Sequence, residues 1–460
     1  MSSPQKVYGP LPFTALYDPR HFDTAQPAPS LWQATGGPVP VAVDPLRADA
    51  RVEVAVIGAG IAGLSTALHL AREAGIEVRV LEAGSVGWGA SGRAAGFCTL
   101  GGSRLGWGAL ARRFGIEEAR RSFVLQRHAV ALVAELARLH RIDLKRSGEG
   151  EYVVAHRPGR MRELAEERAL VRDRFGEDWP LLSRAELRAR GIALEEAYGA
   201  LFIPHAFGIH PLRYVRGLAR AATEHGVRIH ERSPVVAWER QQGWHRLITP
   251  GGSLWARRVV VAATGYLPER LWPSLEGRVL PALSCVLATR PLTASEREAQ
   301  GWTEPALVAD TRRLLFYMRL LGDGRVLFGA RGGLSTSPTA FEERRRWLEA
   351  RFRERFPAWR HVGIEFAWWG LVALARDGFA HLAEPADPPG VTLIGPFHGS
   401  GLAMATALGR LAALRLAGRR EDPPPPAFLS RPLPAFPLPR LRLAYLALAY
   451  LGYGLRDRWL

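Results

Sequence analysis

The sequence predicts a mixed α/β (α+β) fold: a parallel-sheet domain built from discontinuous segments, with an antiparallel-sheet domain inserted into it. Three observations predict it. Residues 54–70, VAVIGAGIAGLSTALHL, are an apolar run that meets three glycines and then a helix-like stretch. A second strand-like run, residues 77–81, follows at βαβ spacing. Short apolar runs of the same kind return at 254–262 and 391–394, with helical and antiparallel stretches between them. The 460 residues are enough for two or three domains.

The elements follow in order. Residues 1–50 are rich in proline and aromatics without a period, and read as an arm laid over the surface. Residues 51–105, 206–270 and 361–420 are assigned to the first, Rossmann-like domain. Residues 106–205 and 271–360 form the inserted domain, and 421–460 a proline-rich connector and C-terminal helix. Apolar residues recur at helical spacing over 115–140 and 161–175. Ser183 to Glu186 (SRAE) is a capping box, and Thr339 to Glu342 (TAFE) caps a helix running to about 355. Residues 151–155, 227–230, 244–249 and 281–290 are strands. Residues 314–320 and 325–330 form a hairpin around Gly322-Asp323-Gly324. A helix opens at Pro211, and another spans 402–416.

Gly58-Ala59-Gly60-Ile61-Ala62-Gly63 matches GxGxxG between a strand and a helix. Gly58 permits the tight turn, Gly60 the approach of a diphosphate, and Gly63 close helix–strand packing. The helix N-terminus offers free N–H groups and positive potential. Glu82, followed by Ala83, ends the next strand, where a carboxylate accepts both hydroxyls of an adenosine ribose and repels a 2′-phosphate. NAD and FAD remain, and the next loop separates them. Gly89, Ala90, Ser91, Gly92 and Arg93 form a second glycine-rich loop that a hydride-transfer dehydrogenase does not need and a flavoprotein does. The strand ending in Ala263-Thr264-Gly265 is the third piece. The turn Gly395 to Gly401, carrying His398, Gly399 and Ser400 and opening a helix at Leu402, is the fourth. A helix N-terminus there can face the pyrimidine edge of a flavin.

Together these stretches resemble the D-amino-acid oxidase/sarcosine oxidase/glycine oxidase family of FAD enzymes, nearest its gamma-glutamylputrescine oxidase-like branch. The resemblance covers about residues 8–460 and rests on motifs in matching order. They are GAGIAGLS, LEAG, GWGASGR, GIHPL, DTRRLLFYMRLLGDGR, the 395–401 turn and the terminal LRDR. It implies FAD bound tightly, with Val235 and Gly370 completing the cofactor-binding set. It implies oxidation of the C–N bond of an amine or amino acid, by hydride transfer to flavin N5, and hydrolysis of the imine. Such a reaction needs no obligate side-chain base. Relatives that tether FAD use a cysteine in the C-terminal turn or a histidine in the second loop. This chain has neither, so FAD is expected to be noncovalent.

Two departures from the branch matter. Arg93-Ala94-Ala95-Gly96 stands where Arg-Asn-Gly-Gly is usual. Only Lys6 and Lys145 are lysines, and neither lies in a flavin-proximal motif, whereas sarcosine oxidase-like relatives use a lysine for oxygen reactivity. An oxidase would need another cation, Arg93 or His398. The electron acceptor is O2 or another carrier, and an FAD-dependent dehydrogenase of a hydroxy acid, passing electrons to a quinone or carrier, is the alternative. Tyr317 and Arg319, i and i+2 on one strand, share a face. Comparable residues in amino-acid-oxidising relatives hold the substrate carboxylate. The other reading puts Arg319 in solvent and Tyr317 in the core. His398 contacts the flavin edge or only bonds backbone. Trp368 and Trp369 line the pocket or pack in the core.

Formal net charge is +17, but the basic residues sit on solvated helical faces, and no nucleic-acid partner is expected. Cys98 and Cys285 form no metal-ligand pattern, so no metal is expected, and a reduced cytoplasmic location fits. No apolar signal segment opens the sequence. Residues 443–455 are too short an apolar run to span a bilayer. They leave two readings for 441–460, a helix docked on the protein or a peripheral membrane contact.

Overall fold

The computed structural model describes residues 16–38, 41, 43–266, 271 and 276–459. Its first sheet runs in the order Leu382–Ala383, Val391–Ile394, Gly252–Val261, Ala50–Ile57, Val78–Leu81, Arg228–His230. Ala50–Ile57 pairs in parallel with Gly252–Val261 on one side and Val78–Leu81 on the other. A hairpin, Ala237–Gln241 with Trp244–Thr249, extends this sheet through Gly252–Val261. The central strand is apolar on both faces because helices cover one side of the sheet, and the hairpin with neighbouring loops, through Trp238, Leu247 and Leu46, covers the other.

On one of these faces lie the helices Ile61–Ala74, Pro211–Glu224 and Leu402–Leu416. The first and third pack very closely: a Cβ at Gly409 would lie 2.6 Å from the Ala62 carbonyl oxygen. Ser65 Oγ donates to the Thr406 carbonyl across the same contact. This packing brings the N-termini of both helices to one cavity.

The second sheet has nine strands, with Leu181–Ser183 paired off its edge to Gly199–Gly208. Its order is Ile364–Leu374, Leu280–Thr289, Val326–Arg331, Phe316–Leu320, Leu307–Asp310, Ser147–Val154, Gly199–Gly208, Phe97–Cys98. Only the contact of Leu307–Asp310 with Ser147–Val154 is parallel. Two boundaries differ from the sequence expectation. Phe97–Cys98 and Ile364–Leu374 belong to this sheet, although 51–105 and 361–420 were assigned wholly to the first domain. Ile364–Leu374 pairs with Leu280–Thr289 along its whole length, and its aromatic-rich run lacks the polar alternation that would mark it.

Local start signals fare differently. Ser183 and Glu186 form the expected reciprocal capping box. The helix expected to be capped at Thr339 starts earlier, as Pro338–Arg355. Ser337 Oγ accepts from Ala340 N–H, and Pro338 needs no acceptor at N1. The described part of the arm is not only superficial. Trp32 is buried, and its indole N–H donates to the Ala94 carbonyl of the second glycine-rich loop.

The helix Arg442–Trp459 docks through Leu443, Leu446 and Tyr450 on Leu280, Ala282 and Leu374. Leu448, Leu451 and Leu455 remain exposed. Among the described residues no helix is long and apolar enough to cross a membrane.

Candidate active site

A cavity of about 380 Å³ lies between the two sheets. On its first wall stand Gly58, Gly60, Ile61 and Ala62 of the fingerprint, with Glu82 and Ala83 at the end of the next strand. Gly89, Ala90, Ser91 and Arg93 come from the second loop, Val235 and Ala263-Thr264-Gly265 from further along the same sheet. Gly370 and the segment His398 to Leu402 close the ring. Three residues of the expected set do not line it. Ala59 instead donates its N–H to Glu82 Oε2 at 2.8 Å. Gly63 packs beneath the Gly58 carbonyl, and Gly92 beneath the Gly87 carbonyl. They shape the loops from behind.

These walls fit FAD. The turn at Gly58 has φ +106°, open to glycine at little cost. The helix it opens, and the one opening at Leu402, each end in N–H groups without intrahelical acceptors. Glu82 is buried and accepts from Ala59 N–H and Gly84 N–H. Desolvation raises its pKa despite those bonds, so hydroxyl donors from a ribose would relieve a strained carboxylate. His398 carries the clearest vacancy for a partner. Its Nε2 lies 3.1 Å from the Phe379 carbonyl oxygen and 3.4 Å from the Ala375 N–H; the shorter contact favours the proton on Nε2, the longer one favours it on Nδ1. Its Nδ1 is buried without a partner, and burial holds the ring pKa down at about 3. Burial therefore favours a neutral His398 on the cavity wall, with Nδ1 open to a polar group of a flavin ring.

That lowered pKa disfavours His398 as the cation an oxidase would need. Arg93 lines the cavity. Its Nε donates to the Trp88 carbonyl at 2.9 Å, and its guanidinium sits 4.2 Å from the Trp88 ring centroid. Lys145 is at the surface, paired with Asp143, and Lys6 lies outside the described residues.

On the second sheet, Tyr317 faces the cavity. Gly329 stands opposite it, and a Cβ there would lie 2.2 Å from the tyrosine ring. The missing side chain lets the ring lie across the strand, with its hydroxyl 2.8 Å from Ser284 Oγ. Burial pushes the Tyr317 hydroxyl up to about 12. Arg319 meets neither of its expected readings. It is fully buried rather than in solvent, and it is not among the cavity-lining residues. Nη1 donates to the carbonyls of Ala95, Gly96 and Ile209 at 2.7, 2.9 and 3.0 Å. Gly96 and Gly208 make room for it. Arg319 thus clamps the end of the second glycine-rich loop to the second sheet. Trp368 is buried and donates to the Arg93 carbonyl, while Trp369 packs on Phe341; neither lines the cavity.

The sequence reading missed Arg331 and Glu151, both on the cavity wall. Arg331 ends its strand opposite Ser284, and its Nη2 donates to the His398 carbonyl at 2.7 Å. No carboxylate among the described residues pairs with it. The available signal was the strand period, since 317, 329, 331 and 284 share one face once the hairpin register is known.

Residues 53–415 match the model of the DAO family, described as FAD dependent oxidoreductase. The chain is 31% identical over 424 residues to gamma-glutamylputrescine oxidoreductase of Escherichia coli, covering 90% of this chain and 95% of that one. It superposes on glycine oxidase from Geobacillus kaustophilus with a TM-score of 0.67 at 22% identity, over 84% of this chain and 99% of that one. L-proline dehydrogenase from P. horikoshii gives the same TM-score, 0.67, at 20% identity, over 83% and 96%.

Proposed function

This chain belongs to the DAO family of FAD-dependent oxidoreductases, and from that premise we propose that it oxidises the C–N bond of an amine or amino acid. The observation that carries the reading is the continuity of the cavity. It runs from the cofactor-binding loops onto a sheet face that holds Ser284, Tyr317 and Arg331 in fixed positions. The names of the E. coli and Geobacillus relatives support an amine or amino-acid substrate.

FAD held by these loops would supply a two-electron acceptor for the hydride of the substrate carbon next to nitrogen. The protein orients that carbon and excludes water. The amine enters neutral, and its remaining N–H proton leaves to solvent as the imine forms. Water then converts the imine to a carbonyl compound and releases the nitrogen as ammonia or an amine. Arg331 holds an anionic group of the substrate, through the fork that suits a carboxylate. Its anchor on the His398 carbonyl fixes that fork beside the segment that faces the flavin. Arg331→Met is expected to raise KM for carboxylate-bearing substrates about 10- to 100-fold, the value of a charge-assisted hydrogen bond, and to leave uncharged-tail amines little changed. Steady-state kinetics on a matched pair checks this.

The test of the function is anaerobic mixing with amino acids, N-methylated amino acids and polyamines, followed by loss of the flavin absorbance. Bleaching by one class supports the reading, and no bleaching by any of them contradicts it. Readmitted air then separates O2 from another acceptor: fast recovery means an oxidase. FAD is held noncovalently in this proposal, because neither Cys98 nor Cys285 lines the cavity. Acid precipitation should leave the flavin in the supernatant; colour in the pellet would contradict it.

A second reading, a dehydrogenase that meets its acceptor at a membrane, is favoured by one observation. Leu448, Leu451 and Leu455 form an exposed stripe on the Arg442–Trp459 helix, beside Arg456. Flotation with anionic liposomes is its check, and protein that stays at the bottom of the gradient removes it.

A further inference from the structure

Glu151 is a carboxylate at the wall of the cavity with nothing among the described residues to pair with it. It sits on the strand Ser147–Val154, opposite Leu307 on one side and Ile203 on the other. It lines the cavity, and no hydrogen bond or ion pair reaches its side chain among the described residues. The neighbouring acid on that strand, Glu149, is satisfied at the surface by Arg146. Glu151 is half-buried, and desolvation raises it to about 7. A desolvated carboxylate without a partner is costly, and such groups are retained where a ligand completes them.

Its position limits what that ligand is. Leu307 lies opposite Glu151 and also opposite Arg319, which lies opposite Leu327. Arg331 is thus three strands across and four residues along from Glu151 on the same sheet face. At ordinary strand spacing and rise the backbone separation is about 14 Å across and about 13 Å along. Gly370 lies further still, five strands from Glu151. Glu151 therefore stands at the end of the cavity remote from Gly370 and the 398–402 turn, with Tyr317 between the two ends.

We propose that Glu151 binds a cationic ammonium group at the remote end of the substrate, so that the substrate carries a second basic nitrogen besides the one that is oxidised. The proposal rests on the amine-oxidation reading and deepens it. An elongated amine fits, with a nitrogen at Glu151 and its reacting carbon beyond Tyr317. A short amino acid such as glycine would leave Glu151 unpaired.

The groups around Glu151 do not mask its titration. Tyr317 and Arg319 stand at about 12 and about 9. Asp310 is tied to Arg312, and His205, two residues along from Ile203, to Glu177. Arg331 faces the same cavity, and burial lowers its pKa.

The test is calorimetric titration of the anaerobically reduced holoenzyme, which cannot turn the ligand over, with 1,4-diaminobutane and with butylamine. Wild type should bind the diamine about tenfold or more tightly than the monoamine, in line with a charge-assisted bond. Glu151→Gln should bring the two affinities together while FAD content stays that of wild type. The wild-type preference should also fade as pH falls through about 7, because the carboxylate then takes up a proton. That second measurement stands even if the variant fails to fold. A variant that keeps the preference, or a wild-type preference unchanged from pH 8 to pH 5.5, overturns the role of Glu151 and leaves amine oxidation standing. If neither amine binds and the oxidised holoenzyme is bleached only by a hydroxy acid, the function itself falls, and this proposal with it.

Discussion

Gly63→Val is expected to give protein with less than about a tenth of the wild-type FAD content. A Cβ at Gly63 would lie 2.0 Å from the Gly58 carbonyl oxygen and 3.0 Å from Val56 Cγ1. Neither neighbour can yield. Gly58 holds its turn at φ +106° with its N–H on the Leu81 carbonyl, and Val56 is buried in the central strand. The added side chain must therefore push the helix Ile61–Ala74 off the strand Ala50–Ile57. That displaces the helix N-terminus that faces the diphosphate, the contact on which the fingerprint depends. Gly452→Ala is the matched control, since open space surrounds that position on the C-terminal helix. Flavin absorbance per protein after gel filtration reads the result. A yellow, fully loaded Gly63→Val protein would mean that the loop does not hold the cofactor.

The second large effect belongs to Arg319. Arg319→Met should destabilise the protein by about 2–4 kcal/mol and lower flavin retention. Its guanidinium satisfies three carbonyls, those of Ala95, Gly96 and Ile209, in a site closed to water. A buried acceptor left without a donor costs about 1–3 kcal/mol. Part of that loss is offset, because no carboxylate among the described residues balances the buried charge and burial already pushes Arg319 down to about 9. A residue that bound substrate would behave differently: the variant would melt like wild type and show only a raised KM. Chemical denaturation beside FAD content separates the two outcomes.

Much of the nucleotide-binding half was legible because its signals are local. The glycines at 58, 60 and 63 need particular backbone geometry, and Glu82 sits at a fixed distance along the chain. Both can be read without knowing what lies across the sheet. The strands Trp244–Thr249 and Val391–Ile394 and the helix Leu402–Leu416 likewise fall where pattern and turn residues place them. The second sheet was harder. Its strands pair across long stretches of chain, so the register that puts Tyr317, Arg331 and Glu151 on one wall is set by hydrogen bonding and not by sequence distance. Arg319 shows the limit most plainly. Its period assigned it correctly to the face of Tyr317, yet two residues along the strand the loop at 95–96 covers that face. A guanidinium pointed at a substrate and one pointed at backbone carbonyls look the same in sequence. His398 is similar: only its burial, which lowers its pKa, favours the neutral ring, and burial is not read from the sequence.

The central claim is that this flavoprotein takes its electrons from a carbon bearing nitrogen. The most direct measurement is an anaerobic single turnover with an isosteric pair, an amine that reduces the flavin and the alcohol in which oxygen replaces its nitrogen. Flavin reduction and products are quantified together. The account predicts that the amine bleaches the flavin and releases one carbonyl product and one ammonia, or one amine, per flavin reduced, while the alcohol leaves the flavin oxidised. Equal or faster bleaching by the alcohol, with no nitrogen released from the amine, would contradict it.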